Sequence, residues 1–529
     1  MFRRRSALVA VAVTFAAQAA HADVTISSKP TQNMSCDAGV CTATAQKAVL
    51  NVADLQTMLA SGDVAVKTGS LAKDIDINQP LSWTSSSRLT LDAQRSVQIE
   101  KQVTVAGQGA LTVTTNDTGD NGRVAKGKSE GEFIIVPEHG SVQFWDAGSS
   151  LMIDGNNYTL VYDIETLASD IAANPAGFYA LATDYDASVD GTYSSPPILN
   201  SFSGSFEGLG NQFINVRIGL PEAQEKIGFF TYLGPGGVLR NLILSRSSVR
   251  WRGKASYAAL LLAENDGGTV ASSHVDGRLD GKAFATGGLV GINGSVNAAK
   301  IEFSSASVEI ARKGMTSEEY AGGLAGINAQ GSISASYAKG NLDVSGGGMY
   351  GGGLVGLNSA AIDTSYSISA VSVTGNVLGF AGGFVATQHG PGKIDNCYAT
   401  GSATVLHGDR WAGAGGFMAF NGDVGWSGGT VAHSYSTGTP KIVLGGSFNY
   451  LGGFAGGNGN GQDALTIDYW DTTTSGESAG CGTDYCPGVE GLSDAQLKSG
   501  LPAGFDPKIW GSDPSINNGY PYLRANPPS

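Results

Sequence analysis

The feature that most constrains the fold is a repeat of about thirty residues. AGGLAGINAQGSISASYAKG (321–340) has close copies on both sides, each with a core of two small residues, two apolar ones, another small residue and usually an Asn two further on. The cores GGLVGIN (287–293), GGLAGIN (322–328), GGLVGLN (352–358), GGFVATQ (382–388), GGFMAFN (415–421) and GGFAGGN (452–458) are preceded by two degenerate copies, ALLLAEN (259–265) and IGFFTYL (227–233). The second small position falls at 228, 260, 288, 323, 353, 383, 416 and 453. Repeats of this length imply units that bury their apolar face only against their neighbours, as in solenoids or propellers.

A second string keeps register with the first: ISASYAKG (333–340), IDTSYSIS (362–369), IDNCYATG (394–401) and VAHSYSTG (431–438) align without a gap. Glycine pairs allow close backbone approach at a corner, and the apolar pair points into the stack. A glycine costs roughly 0.5 to 1 kcal/mol in an element interior, whereas a buried Leu, Val or Phe returns about 1.5 to 3 kcal/mol. A lone coil has too few apolar residues, so stacking must supply the stability. Coils about 4.8 Å apart turn alignment columns into stacks in space. Asn265, Asn293, Asn328, Asn358, Asn421 and Asn458 then form an amide ladder, read first as structural and second as sugar-binding. Tyr337, Tyr366, Tyr398 and Tyr435 form another column, whose direction depends on whether a bulge separates the Ile from the Tyr.

Composition agrees with turn-rich β structure: 77 of 529 residues are Gly and 15% are charged, against roughly 7% and 25% in ordinary domains. Residues 1–22 have the form of a secretory signal, with Arg3, Arg4 and Arg5, an apolar run from Ala7 to Ala17, and Ala20-His21-Ala22 as a cleavage site. The run is too short to span a bilayer comfortably, and no later segment is apolar enough to cross one. Without those arginines the net charge falls from -14 to -17, which argues against nucleic acid or anionic membrane as a partner. Cys36 with Cys41, and Cys481 with Cys486, are close pairs suited to local disulfides in an exported chain. Their C-x4-C spacing is a poor match to a zinc site, so neither a metal nor a cofactor is expected. Cys397 shares a column with Ser336, Ser365 and Ser434 and reads as a small packed residue.

Residues 23–62 form an N-terminal segment ending in a capping helix near 50–62, with Leu55, Met58 and Leu59 on one side. Over 63–226 short alternating strands follow, at Ile75 and Ile77, Leu89 and Leu91, Val97 and Ile99, Val103 and Val105, Leu111 and Val113. Residues 116–132 read as an exposed loop. Residues 163–200 read as an inserted excursion, a helix from Asp163 and then irregular chain. The repeats occupy 227–478, and 479–529 reads as an atypical C-terminal cap with a short helix at SDAQLKSG (493–500).

Catalytic signatures are sparse. Asp363 and Asp395 occupy one column on successive coils, which would set their carboxylates some 5 Å apart, about the separation of retaining glycosidases. The plainer reading is two solvated side chains on an outward face. The six His form no H-E-x-x-H, and neither G-x-S-x-G nor a P-loop occurs. His433 lies in a column with Ala335, Thr364 and Asn396 and reads as a tolerated variable position. Trp411, Trp426 and Trp470 read as fillers under loops, with sugar stacking as the second use.

The G-G-[LF]-[VA]-G-x-N cores followed by I-x-x-S-Y-x-x-G resemble GLUG repeats, found in bacterial surface proteins and some IgA-specific peptidases. YWDTTTSG (469–476) and GYPYL (519–523) resemble the ends of such arrays. PLSWTSSSRLTLDA (80–93) and VTVAGQGALTVTTND (103–117) resemble filamentous-haemagglutinin-type exoproteins. No zinc motif accompanies the repeats, so proteolysis is not carried over, and the N-P-N-[GL] signature of two-partner secretion is missing. The expected fold is all-β, a right-handed parallel β-helix (β-solenoid) with short helical caps and one helical insertion. The expected function is that of a non-enzymatic, adhesin-like protein, secreted or at the cell surface, with a periplasmic location as the alternative. It would bind a host or bacterial cell surface or a polysaccharide. A carbohydrate-active lyase or hydrolase is the competing expectation, and a structural spacer the third.

Overall fold

The computed structural model describes residues 23–528 apart from 118–130, 138, 223, 313–317, 423–426, 460–463 and 484–485. The signal segment, most of the loop at 116–132 and Trp426 lie outside the described residues. The chain forms two units, residues 1–140 with 152–155, and 141–151 with 156–529. It is all-β, built on long sheets of parallel strands in the manner of a β-helix.

In the first unit the alternating segments become strands that pair in parallel at a step of 22 residues. Ile75 meets Val97, Leu81 meets Val103 and Leu89 meets Leu111. Ile75, Ile77, Leu89, Leu91, Val97, Ile99, Val103 and Val105 are fully buried, so each strand's inward residues stack on those of the next coil. The stretch ahead of the helix carries strands that its sequence did not announce. Asp23–Ser27 and Ala48–Asn51 join the same parallel sheet. Met34–Asp37 and Val40–Ala43 make an antiparallel hairpin that the Cys36–Cys41 disulfide bridges at a directly opposed pair. The helix spans Val52–Leu59, capped by the Asn51 side chain, and buries Leu55 and Leu59.

In the second unit the repeat alignment becomes hydrogen-bonded register. The eight cores form one parallel sheet in which Leu233, Asn265, Asn293, Asn328, Asn358, Gln388, Asn421 and Asn458 are successive partners. The second string gives a further parallel stack, in which Leu239, Val270, Ile301, Ile333, Ile362, Ile394, Val431 and Leu465 follow one another, all buried. Between the Ile and Tyr positions a residue of positive φ recurs: Leu209, Asn241, Ser272, Phe303, Ala335, Thr364, Asn396, His433 and Ile467. This left-handed residue costs a non-glycine roughly 1 to 2 kcal/mol, and it breaks the alternation at a corner. The next residue, a Ser in most coils, therefore points inward. Ser273, Ser304, Ser336, Ser365, Cys397 and Ser434 are fully or almost fully buried. Backbone N–H groups of Ser273, Ser304 and Ser336 donate to the hydroxyl one coil on, at 3.1 to 3.2 Å. His433 is thus a corner residue, in a conformation His and Asn tolerate better than most.

The left-handed corner also settles the direction of the tyrosines. Tyr337, Tyr366, Tyr398, Tyr435 and Tyr469 face away from the interior, and neighbouring rings among the first four stack at 4.8 to 5.2 Å. They are nonetheless covered. Leu497, Phe505, Trp510, Tyr520 and Leu523 pack on them, the Tyr435 hydroxyl donates to Pro521 O at 2.6 Å, and Asn526 reaches back to Ala335 O at 2.9 Å. Residues 479–492 continue the stack through Val489–Leu492 against Asp468–Asp471, and Cys481 and Cys486 are bonded. From the short helix Asp494–Leu497 onward, the chain runs as a strap along the side of the coils instead of closing their end.

One expectation is corrected. Residues 163–200 are not an excursion from the sheets. After the helix Ile164–Ala173, strand Phe178–Leu181 pairs in parallel with Asn156–Val161 and Ser205–Glu207. Tyr193, Ile198 and Phe202 bridge to Ile218, Phe230 and Leu233. The helix turns Ile164, Leu167 and Ile171 into the same core as Tyr179 and Phe202. Its polar sequence neighbours hid a coil whose pairing partners lie 20 or more residues away.

Candidate functional site

The residues singled out by the sequence do not converge on one site. In the amide column, Asn265 donates to Asn293 at 2.9 Å, Asn293 to Asn328 at 3.0 Å, Asn328 to Asn358 at 2.8 Å and Asn358 to Gln388 at 3.0 Å, while Asn421 donates to Asn458 at 3.1 Å. Second bonds to backbone carbonyls, such as Asn328 to Ala361 O at 3.3 Å, tie the amides to the neighbouring strand. With Asn265, Asn293, Asn328, Asn358 and Asn421 fully buried, this column holds coils together and offers nothing to a sugar.

Asp363 and Asp395 are in-register partners on adjacent strands. Asp395 accepts from His433 Nδ1 at 2.9 Å and lies 3.6 Å from Lys393 Nζ; Asp363 accepts from Asn396 at 3.3 Å. Asn396 in turn accepts from the Trp510 indole of the strap at 3.2 Å. Burial, and then the charge of Asp395, raise the Asp363 carboxyl above its ordinary range against the Asn396 bond. Cys397, directly behind this pair, is fully buried with its thiol 3.1 Å from Asp395 O, and burial pushes that thiol far up. Among the described residues no group of three or more His, Cys, Asp or Glu is arranged to hold a metal ion.

A different face carries a groove of about 570 Å³, within the size range of ligand sites. Its floor is an aromatic ladder. Tyr320, Tyr350 and Phe380 are partners in register, with centroids 4.9 and 5.0 Å apart and planes within 30° of parallel. The ring faces are spent on one another, so the rims of the rings line the groove. The ladder stops where Gly413 takes the next rung, beside Phe380. Trp411, two residues earlier, stands half-buried there, tilted on Phe448 at 5.2 Å. Leu357 and Leu378 complete the apolar lining; Glu318, Ser359, His389 and Arg410 supply the polar rim. Glu318 and Arg410 are exposed, and neither makes an ion pair among the described residues.

Of these residues the sequence reading had marked only Trp411. A signal was present, because an aromatic two residues before the Gly pair recurs in EYAGG, MYGGG, GFAGG and NYLGG. The more regular Asn and Tyr columns are structural.

No protein-family model matches this sequence, and no curated protein matches it. Among solved structures it is similar to a crystal structure of a protein provisionally assigned as an immunoglobulin A1 protease from Bacteroides ovatus, with a TM-score of 0.36 and 16% identity over 70% of this chain and 93% of that one.

Proposed function

We propose that this is an exported, non-enzymatic right-handed β-solenoid of the adhesin type, with GLUG-like coils, that binds polysaccharide or a cell surface through its outward face. The observation that carries the reading is the groove over Tyr320, Tyr350 and Phe380. It is apolar along its floor and, among the described residues, has Glu318 and Arg410 without an ion-pair partner at its rim and no second carboxylate in its lining. Such a lining suits recognition better than acid–base chemistry, which requires groups of perturbed pKa brought together. The signal-like residues 1–22 and the two close Cys pairs support export to the surface or the medium.

The second reading, a polysaccharide lyase or glycoside hydrolase, draws on one observation: Asp363 is held toward its protonated form beside Asp395. Against it stand the bonds that occupy both carboxylates, to Asn396 and to His433. A polysaccharide array probed with the full chain, run beside a reducing-end assay, tests both. Binding without turnover is the expected result. Product release that Asp363→Ala or Asp395→Ala abolishes would establish the enzyme instead.

A further inference from the structure

The geometry points to a specific occupant of the groove: a neutral, linear polysaccharide of equatorially linked pyranose rings, lying along the stack with about one ring per coil. This deepens the binding reading above and rests on it.

Direction comes first. The lining is drawn from four successive coils, represented by Tyr320, Tyr350, Phe380 and Trp411, so the groove runs with the stack and not across it. A ligand in it meets the same kind of surface every 4.9 to 5.0 Å. An extended peptide turns a side chain to the same side only every ~6.6 to 6.8 Å, and within two rungs it is out of step. The ring-to-ring advance of an equatorially linked pyranose polymer is close to one rung and each ring is turned over relative to the last, so every ring meets a rung and every second ring meets it with the same face.

Chemistry narrows the choice further. Glu318 can only accept hydrogen bonds and Arg410 can only donate them. Neither has an ion-pair partner among the described residues, and their charges cancel. A hydroxyl both donates and accepts, so a neutral polyol serves both residues without importing charge. The polyproline II helix is the peptide form that comes nearest to matching, since it returns about every 9.3 Å, close to two rungs. Proline has no N–H to give Glu318, which makes the fit one-sided. The faces of Tyr350 and Phe380 are taken up by ladder stacking, which leaves half-buried Trp411, tilted against Phe448 and Tyr450, as the ring whose accessible part a sugar can meet at the end of the groove.

The test is calorimetric titration of the full chain with a graded series of β-1,4-linked glucose oligomers, with α-1,4-linked oligomers and an oligoproline as comparisons. Affinity for the β-linked series should rise with length and level off at roughly four units, the number of coils lining the groove. Trp411→Ala and Arg410→Ala should each weaken it about tenfold, a change of roughly 1.4 kcal/mol. Leu444→Ser, at an exposed position outside the groove lining, should leave it unchanged. Arg410 is exposed, so its variant reports on binding even if Trp411→Ala perturbs folding. If the array finds a bound polysaccharide whose affinity neither groove variant alters, the groove assignment falls while the binding reading stands. If no polysaccharide binds at all, both fall. Oligoproline binding that is lost in Arg410→Ala, with no response to the β-linked series, would overturn the assignment in favour of a peptide, and equal binding of the α-linked series would overturn the matching of ring to rung.

Discussion

Replacing Asn328 by Ala removes the middle rung of the buried amide ladder. Asn328 accepts from Asn293 at 3.0 Å and donates to Asn358 Oδ1 at 2.8 Å and Ala361 O at 3.3 Å. Asn293 keeps a bond to Ser332 O at 3.3 Å, and Asn358 Oδ1 keeps the Ala360 N–H at 3.4 Å. The substitution therefore weakens the bonding of several buried polar groups at once. Each such group left without a good partner costs about 1 to 3 kcal/mol, so a total of about 3 kcal/mol is expected. Asn458, half-buried at the end of the ladder, accepts from Asn421 there, and Asn458→Ala should cost about 1 kcal/mol. Urea unfolding followed by far-UV circular dichroism gives the comparison. Hydrogen exchange at coils 325–363 localises it, since stacked units can open separately. Equal losses in the two variants, or a loss below about 1 kcal/mol for Asn328→Ala, would refute the view that the ladder clamps the coils.

Cys397→Ser should restore the hydroxyl found in this column at Ser336, Ser365 and Ser434, and change stability by less than about 1 kcal/mol; the native thiol, fully buried, should resist a thiol reagent until the chain unfolds. Burial raises the Asp266 carboxyl, but the N–H groups of Asn297 and Val296 and the Tyr232 hydroxyl outweigh it and hold it down at about 2. A depressed carboxyl stabilises above its unfolded pKa of about 3.9 and loses that contribution as the pH falls through about 2, so Asp266→Asn should flatten the acid dependence of unfolding by about 2 kcal/mol. Trp510→Ala, at a fully buried strap residue packed on Tyr398 and Tyr435, should loosen the strap and speed proteolysis within 498–526; an unchanged cleavage pattern would mean that the strap is held elsewhere. A Cβ at Gly413 would lie 2.6 Å from the Phe380 ring, so Gly413→Ala should displace that ring and weaken groove binding, read by the same titration.

The parts of the fold that the sequence made legible are those in which each coil copies its neighbour. The core steps of 32, 28, 35, 30, 30, 33 and 37 residues are the register shifts of the eight-stranded sheet from Leu233 to Asn458. Insertions between cores leave the register intact because they are taken up in the connections. Where the copying is absent, reading failed. Strand Phe178–Leu181 has no sequence echo in the strands it pairs with, and Asp23–Ser27 has its in-register echo, DVTI on DIDI, only at Asp74–Ile77 beyond the hairpin and the helix, so alternation over four or five residues was too short to distinguish them from loops. The C-terminal strap reads as an end cap because nothing local to Phe505 or Trp510 shows that their contacts lie on Tyr469, Tyr435 and Tyr398, the tyrosines of three successive coils.

The same asymmetry accounts for where the groove lies. An inward column is constrained by every neighbour: a larger residue at Ser336 or Asn328 would break a ladder, so these positions repeat and draw the eye. The aromatic column is constrained by the rings above and below it and by a smaller cluster that includes Ile292, Ile327 and Ala386. Tyr320, Tyr350 and Phe380 satisfy one another, and the run can end at Gly413 without cost to the interior. That ending gives the groove its shape, because at the Gly413 rung no ring stacks on Phe380, which Phe420 meets edge-on at 6.1 Å, and Trp411 and Arg410 line the groove there instead. In a stack of near-identical coils, a place to bind requires such a break in the repeat. The positions to compare between related chains are therefore those two residues ahead of each glycine pair, where one ring more or less would lengthen, shorten or close the groove.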